Sequence, residues 1–217
     1  MKVNRDIVVR GGLKLLNEAG LERLTLRLLA RKLDIQAATL YWHFKSKEDL
    51  IDEMATEVLA EGAKHLLPAS ESADWSAWAA AFGTGLRKTL LAYRDGARMV
   101  AGTRLTDTRY MQTAERIAQK LVAGGFTLRQ ATILLSTIYD FTLSLVMEEQ
   151  SVSPRPGERA QQYDLAKRSK LLAAAGLPLL SKAGAVLFGN FDRRYSEGLA
   201  LILQGARPGH ATRIRSR

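Results

Sequence analysis

A chain of 217 residues that is 47% apolar and 25% charged has room for one large or two modest folded domains and is too apolar to be disordered. It has no cysteine, which excludes disulfides, zinc fingers and thiol nucleophiles; with only His43, His65 and His210 to supply imidazole, no metal or cofactor is expected. The formal charge of +10 sits at the ends: residues 1–50 hold ten Lys/Arg against six acids, residues 51–206 eighteen against sixteen, and residues 207–217 four against none.

Apolar residues recur at helical spacing along nearly the whole chain, as in Ile7, Val8, Leu15, Leu16 and Ala19, and no alternating strand pattern bounded by turns appears. The fold class is therefore all-α. A first helix over about residues 4–19 stops at Gly20. A second follows Thr25, whose hydroxyl caps it, and presents Leu26, Leu29, Ala30 and Leu33 to a core before ending near Asp34. A turn at Asp34 and Ile35 leads to a short third helix over residues 36–44, with Leu40 and Phe44 as core positions. Ser46 caps a fourth, with Asp49 in a capping-box arrangement. That helix runs through Met54, Val58 and Leu59 toward His65, until Pro68 and a polar run break it. Further helices are expected over residues 75–94, briefly at Ala97, over 107–123 after a Thr106 cap, over 128–149 after a Thr127 cap, and over 178–187 and 191–206. Residues 150–170 are polar, contain proline and read as a mobile connection.

The N-terminal stretch carries Asp6 and Arg10 within its apolar part and lacks a small-residue cleavage site, so no secretory signal is read there. The weakly charged run 131–147 is interrupted by Asp140 and is shorter than the ~20 residues of a spanning helix. No membrane partner and a cytoplasmic location are expected. The organisation is a DNA-binding module over residues 1–46, a helical domain over residues 47–206 with residues 47–66 as the connector, and a disordered basic tail over residues 207–217.

The second and third helices, joined by a tight turn, form a helix-turn-helix of the kind that enters the major groove of double-stranded DNA. The basic N-terminal module suits phosphate contacts, which release condensed counterions. Residues 24–50, LTLRLLARKLDIQAATLYWHFKSKEDL, closely resemble the helix-turn-helix signature of the TetR family, including its Tyr-x-His-Phe-x-x-Lys ending. Residues 39–43 match the recognition helix of its tetracycline repressor subgroup. The resemblance puts Arg27, Gln36, Ala37, Thr39, Tyr41, Trp42, His43 and Lys47 at DNA-facing positions. Their chemistry agrees: Arg27 suits a bidentate contact to guanine and Gln36 the edge of adenine. Ala37 and Ala38 permit close approach, and Thr39, Tyr41, His43 and Lys47 suit phosphates.

Residues 75–206 contain no phosphate-cradling glycine loop, nucleophile elbow or paired histidines at metal spacing, so no enzyme is expected. YRDGARMVAGTR at 93–104 and DFTLSLVMEEQ at 140–150 resemble the ligand-binding domain of the same subgroup. Where that subgroup holds its drug and magnesium, this chain has Ala63, Phe82, Leu86, Val100 and Arg116, while Thr103 and Glu148 are kept. The magnesium-binding imidazole is lost, and His65 points roughly 200° away from position 63 around the helix. No tetracycline response is expected. Phe82, Leu86 and Val100 suggest an apolar pocket with Arg116, Tyr139, Asp140 and Glu148 as polar anchors, suited to a small aromatic or polycyclic organic effector. Phe82 and Val100 equally fit an ordinary core, and Arg116 a solvated face.

The expected function is a sequence-specific transcriptional repressor released from a palindromic operator by such an effector. The alternatives are a regulator that responds to tetracycline with magnesium, or to no small molecule. The resemblance implies a homodimer through the helices at 128–149 and 191–206, with Ser136, Gly198, Leu199, Ile202 and Gly205 in a four-helix bundle; the same residues would suit a core within one chain.

Overall fold

The computed structural model describes residues 4–154 and 158–209. Those residues form eleven α-helices and two short 3₁₀ turns, with no strand among them. The N-terminal unit comprises α1 (Arg5–Ala19), α2 (Leu26–Lys32), α3 (Ala37–His43) and the start of α4 (Lys47–Gly62), which passes into a 3₁₀ turn, Ala63–Leu66. Short-range polar groups set these boundaries. The Leu28 N–H donates to Thr25 Oγ1 (3.1 Å), satisfying one of the amides a helix start leaves free. Asp34 adopts the left-handed conformation (φ 53°) that turns the chain between α2 and α3. Ser46 accepts from the Asp49 N–H (3.0 Å). The Asp49 carboxylate, however, accepts from Lys45 N–H (3.1 Å) rather than from the cap residue itself, so the expected capping box is shifted by one residue.

The rest of the chain forms α5 (Trp75–Leu91), α6 (Gly96–Val100), α7 (Arg109–Ala123), α8 (Leu128–Val152), α9 (Leu165–Ala174), α10 (Pro178–Phe188) and α11 (Phe191–Gly205). Two expectations need correction. Thr106 does not cap α7: the Asp107 carboxylate accepts from Arg109 N–H (2.9 Å), while Thr106 donates its amide to Thr56 Oγ1 (3.0 Å). Residues 150–170 are not one connection, because α8 continues to a buried Val152 and α9 begins at Leu165 after a cap at Asp164, which accepts from Lys167 N–H (3.0 Å). Gln150 looked like a loop residue for its polarity, yet its amide donates to the carbonyl of Tyr93 (2.8 Å) and accepts from Ala97 N–H (3.3 Å), which locks α8 to the α5–α6 corner. The expected tail falls mostly on residues 210–217, outside the described residues.

One continuous core runs from Val8, Leu16, Leu29, Leu40 and Phe44 through Leu50 and Met54 to Trp78, Leu86, Leu90, Ile117 and Ile138. At 25 residues α8 has the length and composition of a membrane span. Here it packs against α5, α6, α7 and α11 and buries Leu134, Ile138, Thr142 and Val146. Where α1 crosses α4, Gly12 admits Met54: a Cβ there would lie 2.8 Å from its sulfur.

Candidate functional site

Helix α3 has two sides. Leu40 is fully buried and Phe44, just past the last turn, is nearly so; these hold the helix on the core. Gln36, Ala38, Tyr41 and Trp42 are exposed, with Trp42 87% exposed. Ala37, Thr39 and His43 are half-buried at the margins, and the imidazole of His43 stands edge-on to the Trp42 indole at 6.0 Å. Arg27 is exposed on α2. The face therefore offers an amide, an exposed aromatic pair and a guanidinium. Lys47 is placed differently from the expectation: its ammonium turns inward and donates to the Leu21 carbonyl (3.0 Å), leaving only its remaining donors for a phosphate.

Residues that the sequence reading missed hold this face in place. Arg5, the first residue of α1, donates through Nη1 to the His43 carbonyl (2.8 Å) at the end of α3. Its guanidinium lies 4.6 Å from the centre of the Phe44 ring and is paired with Glu53 of α4. The α1–α2 loop is tied to the α5–α6 corner: Leu21 N–H donates to Asp95 (2.9 Å), Arg94 N–H to Asn17 (2.9 Å), and Arg98 to Glu22 (2.5 Å). The Arg98 guanidinium holds the Glu22 carboxyl below the usual carboxylate range. A polar cleft of about 360 Å³ lies at this corner, and none of the residues expected to bind an effector lines it.

Further along α4, one face grips residues 104–109. Asp52, almost buried, accepts from the Arg104 N–H (2.9 Å) and Nε (3.2 Å). Glu53 accepts from the Thr106 hydroxyl (3.1 Å), Thr56 from the Thr106 N–H, and Glu57 from Arg109 Nη2 (2.7 Å). Positions 52, 53, 56 and 57 share a face because residues three and four apart are neighbours on a helix. The same helix thus follows directly on α3 at its start and holds the segment after α6 along its middle.

Of the expected effector-binding positions, Phe82 and Leu86 on α5 and Val100 at the end of α6 are buried, and Ala63 is half-buried in the 3₁₀ turn. Thr103 turns its hydroxyl to the Val100 carbonyl (2.8 Å). Tyr139 is half-buried on α8, and burial raises its pKa. The three charged candidates are exposed or ion-paired. Arg116 is exposed, pairs with Glu71 and lies 5.7 Å from the Trp78 ring centre. Asp140 is exposed, because one residue beyond Tyr139 is a 100° turn of the helix. Glu148 is paired with Arg194 (2.6 Å). The polar groups that do lie within the core are others. Trp78, one turn before Phe82, is fully buried with its indole N–H unpartnered among the described residues, and Tyr110, half-buried against the core, has its pKa raised strongly by burial. The 78, 82, 86 spacing was the signal available for Trp78. Neither Ala63 in the 3₁₀ turn nor Val100 at the end of α6 carries a group that could ligate a magnesium ion.

Residues 8–54 match the family described as "Bacterial regulatory proteins, tetR family", and residues 67–208 match "Tetracyclin repressor-like, C-terminal domain". The chain belongs to the TetR family. It is thus a transcriptional regulator of a family that is not one of enzymes. It is 39% identical over 204 residues, 94% of this chain and 90% of the other, to the class A tetracycline repressor from transposon 1721 of Escherichia coli. Among solved structures it resembles a possible TetR family regulator from Streptomyces coelicolor A3(2), at 35% identity and a TM-score of 0.82, covering 93% of this chain and 98% of that one. It also resembles a variant of TetR from Acinetobacter baumannii AYE, solved in complex with minocycline, at 30% identity and a TM-score of 0.78, covering 100% of both chains.

Within this TetR-family fold the small and apolar residues expected at a dimer contact divide in two. Leu199 is buried within its own chain, and Gly198 lies against Phe141, whose ring a Cβ would overlap. Ser136 and Gly205 are exposed and Ile202 is half-buried. Leu128 and Ile133 of α8 and Leu201 of α11 are exposed.

Proposed function

We propose that this regulator is a homodimeric, cytoplasmic repressor that binds a palindromic DNA operator through α3 of each protomer and leaves it when a small aromatic or polycyclic effector binds beside Phe82, Leu86 and Val100. The observation that carries this reading is the double attachment of α4. Its start carries the reading head, and Asp52, Glu53, Thr56 and Glu57 bind residues 104–109, directly after Val100 and Thr103. A ligand that displaces the end of α6 moves that segment, and α4 with it. Heads set about one DNA turn apart, roughly 34–36 Å, lose register when their α4 helices shift. Release also requires that the effector bind the displaced arrangement more tightly, since equal affinity for both shifts nothing.

Residues 1–46 act in this reading as the DNA module and residues 47–206 as the effector and dimer domain. Arg27, Gln36 and Ala37 face base edges, Thr39, Tyr41, Trp42 and His43 face the sugar-phosphate backbone, and Lys47 reaches a phosphate with the donors its bond to the Leu21 carbonyl leaves over. Tyr139 and Thr103 flank the apolar wall. The exposed Leu128, Ile133 and Leu201 supply the contact with a second copy along α8 and α11. A second reading, response to tetracycline with magnesium, is favoured by the tetracycline repressor relatives and by the retained Thr103 and Glu148. Against it stand Ala63, which has no metal donor, and the engagement of Glu148 by Arg194.

A release assay tests the effector reading. Operator complexes are challenged with a panel of aromatic compounds and, separately, with tetracycline and magnesium. Release by a member of the panel, lost in Phe82→Ala while operator binding survives, is the expected result. Release by tetracycline and magnesium alone would transfer support to the second reading.

A further inference from the structure

We infer that Arg5 is a positioning residue for the recognition helix, and that Glu53 links it to the effector domain, so that residues 104–109 bear on operator affinity through the chain Thr106, Glu53, Arg5, His43 carbonyl. This inference rests on the DNA-binding reading above and adds a route of regulation to it. Four contacts carry it. Thr106 Oγ1 donates to Glu53 Oε2 (3.1 Å), Glu53 Oε1 accepts from Arg5 Nη2, Arg5 Nη1 donates to the His43 carbonyl (2.8 Å), and the same guanidinium covers the Phe44 ring at 4.6 Å.

The residue types suit this task. The last carbonyls of α3 have no partner within the helix and carry partial negative charge, so a cation there is favourable. Arg presents several donors in a fixed fork and can serve a carbonyl and a carboxylate together, which the single ammonium of Lys does less well. Arg5 is tied to the side of α3 that faces α1 and α4, since it covers Phe44, whose ring is buried in the core. Glu53 is the junction: one carboxylate oxygen holds the head and the other holds the effector domain. When residues 104–109 move, Glu53 cannot keep both partners at hydrogen-bond distance, and the end of α3 loses its clamp.

The test uses the full-length protein and an operator selected from random duplexes, with affinity measured across a salt series. Arg5→Met is expected to weaken operator binding about fivefold, because each head of the dimer loses an exposed ion-paired bond of modest strength, and Arg5→Lys to fall in between. The salt slope is expected to stay unchanged, since Arg5 neutralises no phosphate. Glu53→Gln and Thr106→Val are each expected to alter affinity, and the double variant to do no more than Glu53→Gln alone, because Thr106 acts through Glu53. Unchanged affinity in Arg5→Met would overturn the inference. So would a salt slope reduced by about one unit for each head, the mark of a direct phosphate contact. Full additivity of Glu53→Gln and Thr106→Val would break the link to the effector domain. If Arg5→Met fails to fold, Arg5→Lys decides by the same two readouts. A wild-type protein that selects no sequence overturns the DNA-binding reading itself, which is a different failure from a selected operator that Arg5 does not affect.

Discussion

On the recognition helix, neighbouring side chains have opposite fates: Leu40 is fully buried, and Tyr41 and Trp42 beside it are exposed. Leu40→Ala is therefore expected to lower stability by about 2–5 kcal/mol through a core cavity. Trp42→Ala should change stability by no more than about 0.5 kcal/mol while weakening operator binding. Thermal melts and operator titrations of the two variants check this, and equal melting losses would contradict the assigned faces. A second residue, Tyr195, is buried on α11, where its hydroxyl meets Thr142 Oγ1 at 2.9 Å. Burial pushes its pKa up to about 12, against smaller opposing effects of Thr142 and Arg87. An unfolded tyrosine ionises near ~10, so this stability is complete below that pH and is lost as pH rises toward the folded value. Tyr195→Phe is expected to flatten the stability profile in that alkaline window, as followed by urea midpoints. Caps such as Thr25 and Thr127 were legible because the acceptor and donor lie three residues apart. Arg5 and His43 were not: they are 38 residues apart, and nothing local announces their contact.

The elements were legible to the extent that each is amphipathic and locally capped. Helices α1 to α4 fall close to their expected places, because the apolar spacing and the Thr25 and Ser46 caps agree. Helix α9 was missed because none of its residues is buried and its sequence carries no strong apolar stripe. The role of Thr106 was misread because a hydroxyl near a helix start looks like a cap whether or not a distant helix claims it. Helix α5 and the 3₁₀ turn after α4 approach so closely that Gly85 lets backbone meet backbone. A Cβ at position 85 would overlap the His65 carbonyl oxygen, a group that no rotamer change can move. Gly85→Ala is expected to cost several kcal/mol, about 2–4. By contrast Gly205→Ala, with nothing within 4 Å of the added carbon, is expected to be neutral or to stabilise by up to about 1 kcal/mol. Chemical denaturation distinguishes the two, and a small effect at Gly85 would contradict this packing of α5 on the turn.

At the scale of the whole molecule, the fold and the reading head were legible in the residue 24–50 motif and the basic charge of the first fifty residues. For the proposed effector site the sequence offers candidates only. Phe82, Leu86 and Val100 are buried as either a pocket wall or a core requires, while Arg116 and Asp140 are exposed and Glu148 is paired with Arg194. Charged residues are anchored by partners that tertiary structure supplies, such as Glu71 for Arg116 and Arg194 for Glu148, and a sequence gives no sign of those partners in advance. The N-terminal unit and helices α5 to α8 share one core and are joined by α4, and the proposed release depends on that connection. The central claim is that two such heads read a palindrome together. The most direct test is a fluorescence-anisotropy titration of the full-length protein on a selected operator, on the same operator with one half-site scrambled, and on unrelated duplex, each across a salt series. The account predicts tight binding of a dimer to the intact palindrome, a large loss when one half-site is scrambled, and a log–log salt slope of several units. Equal affinity for all three duplexes would contradict it.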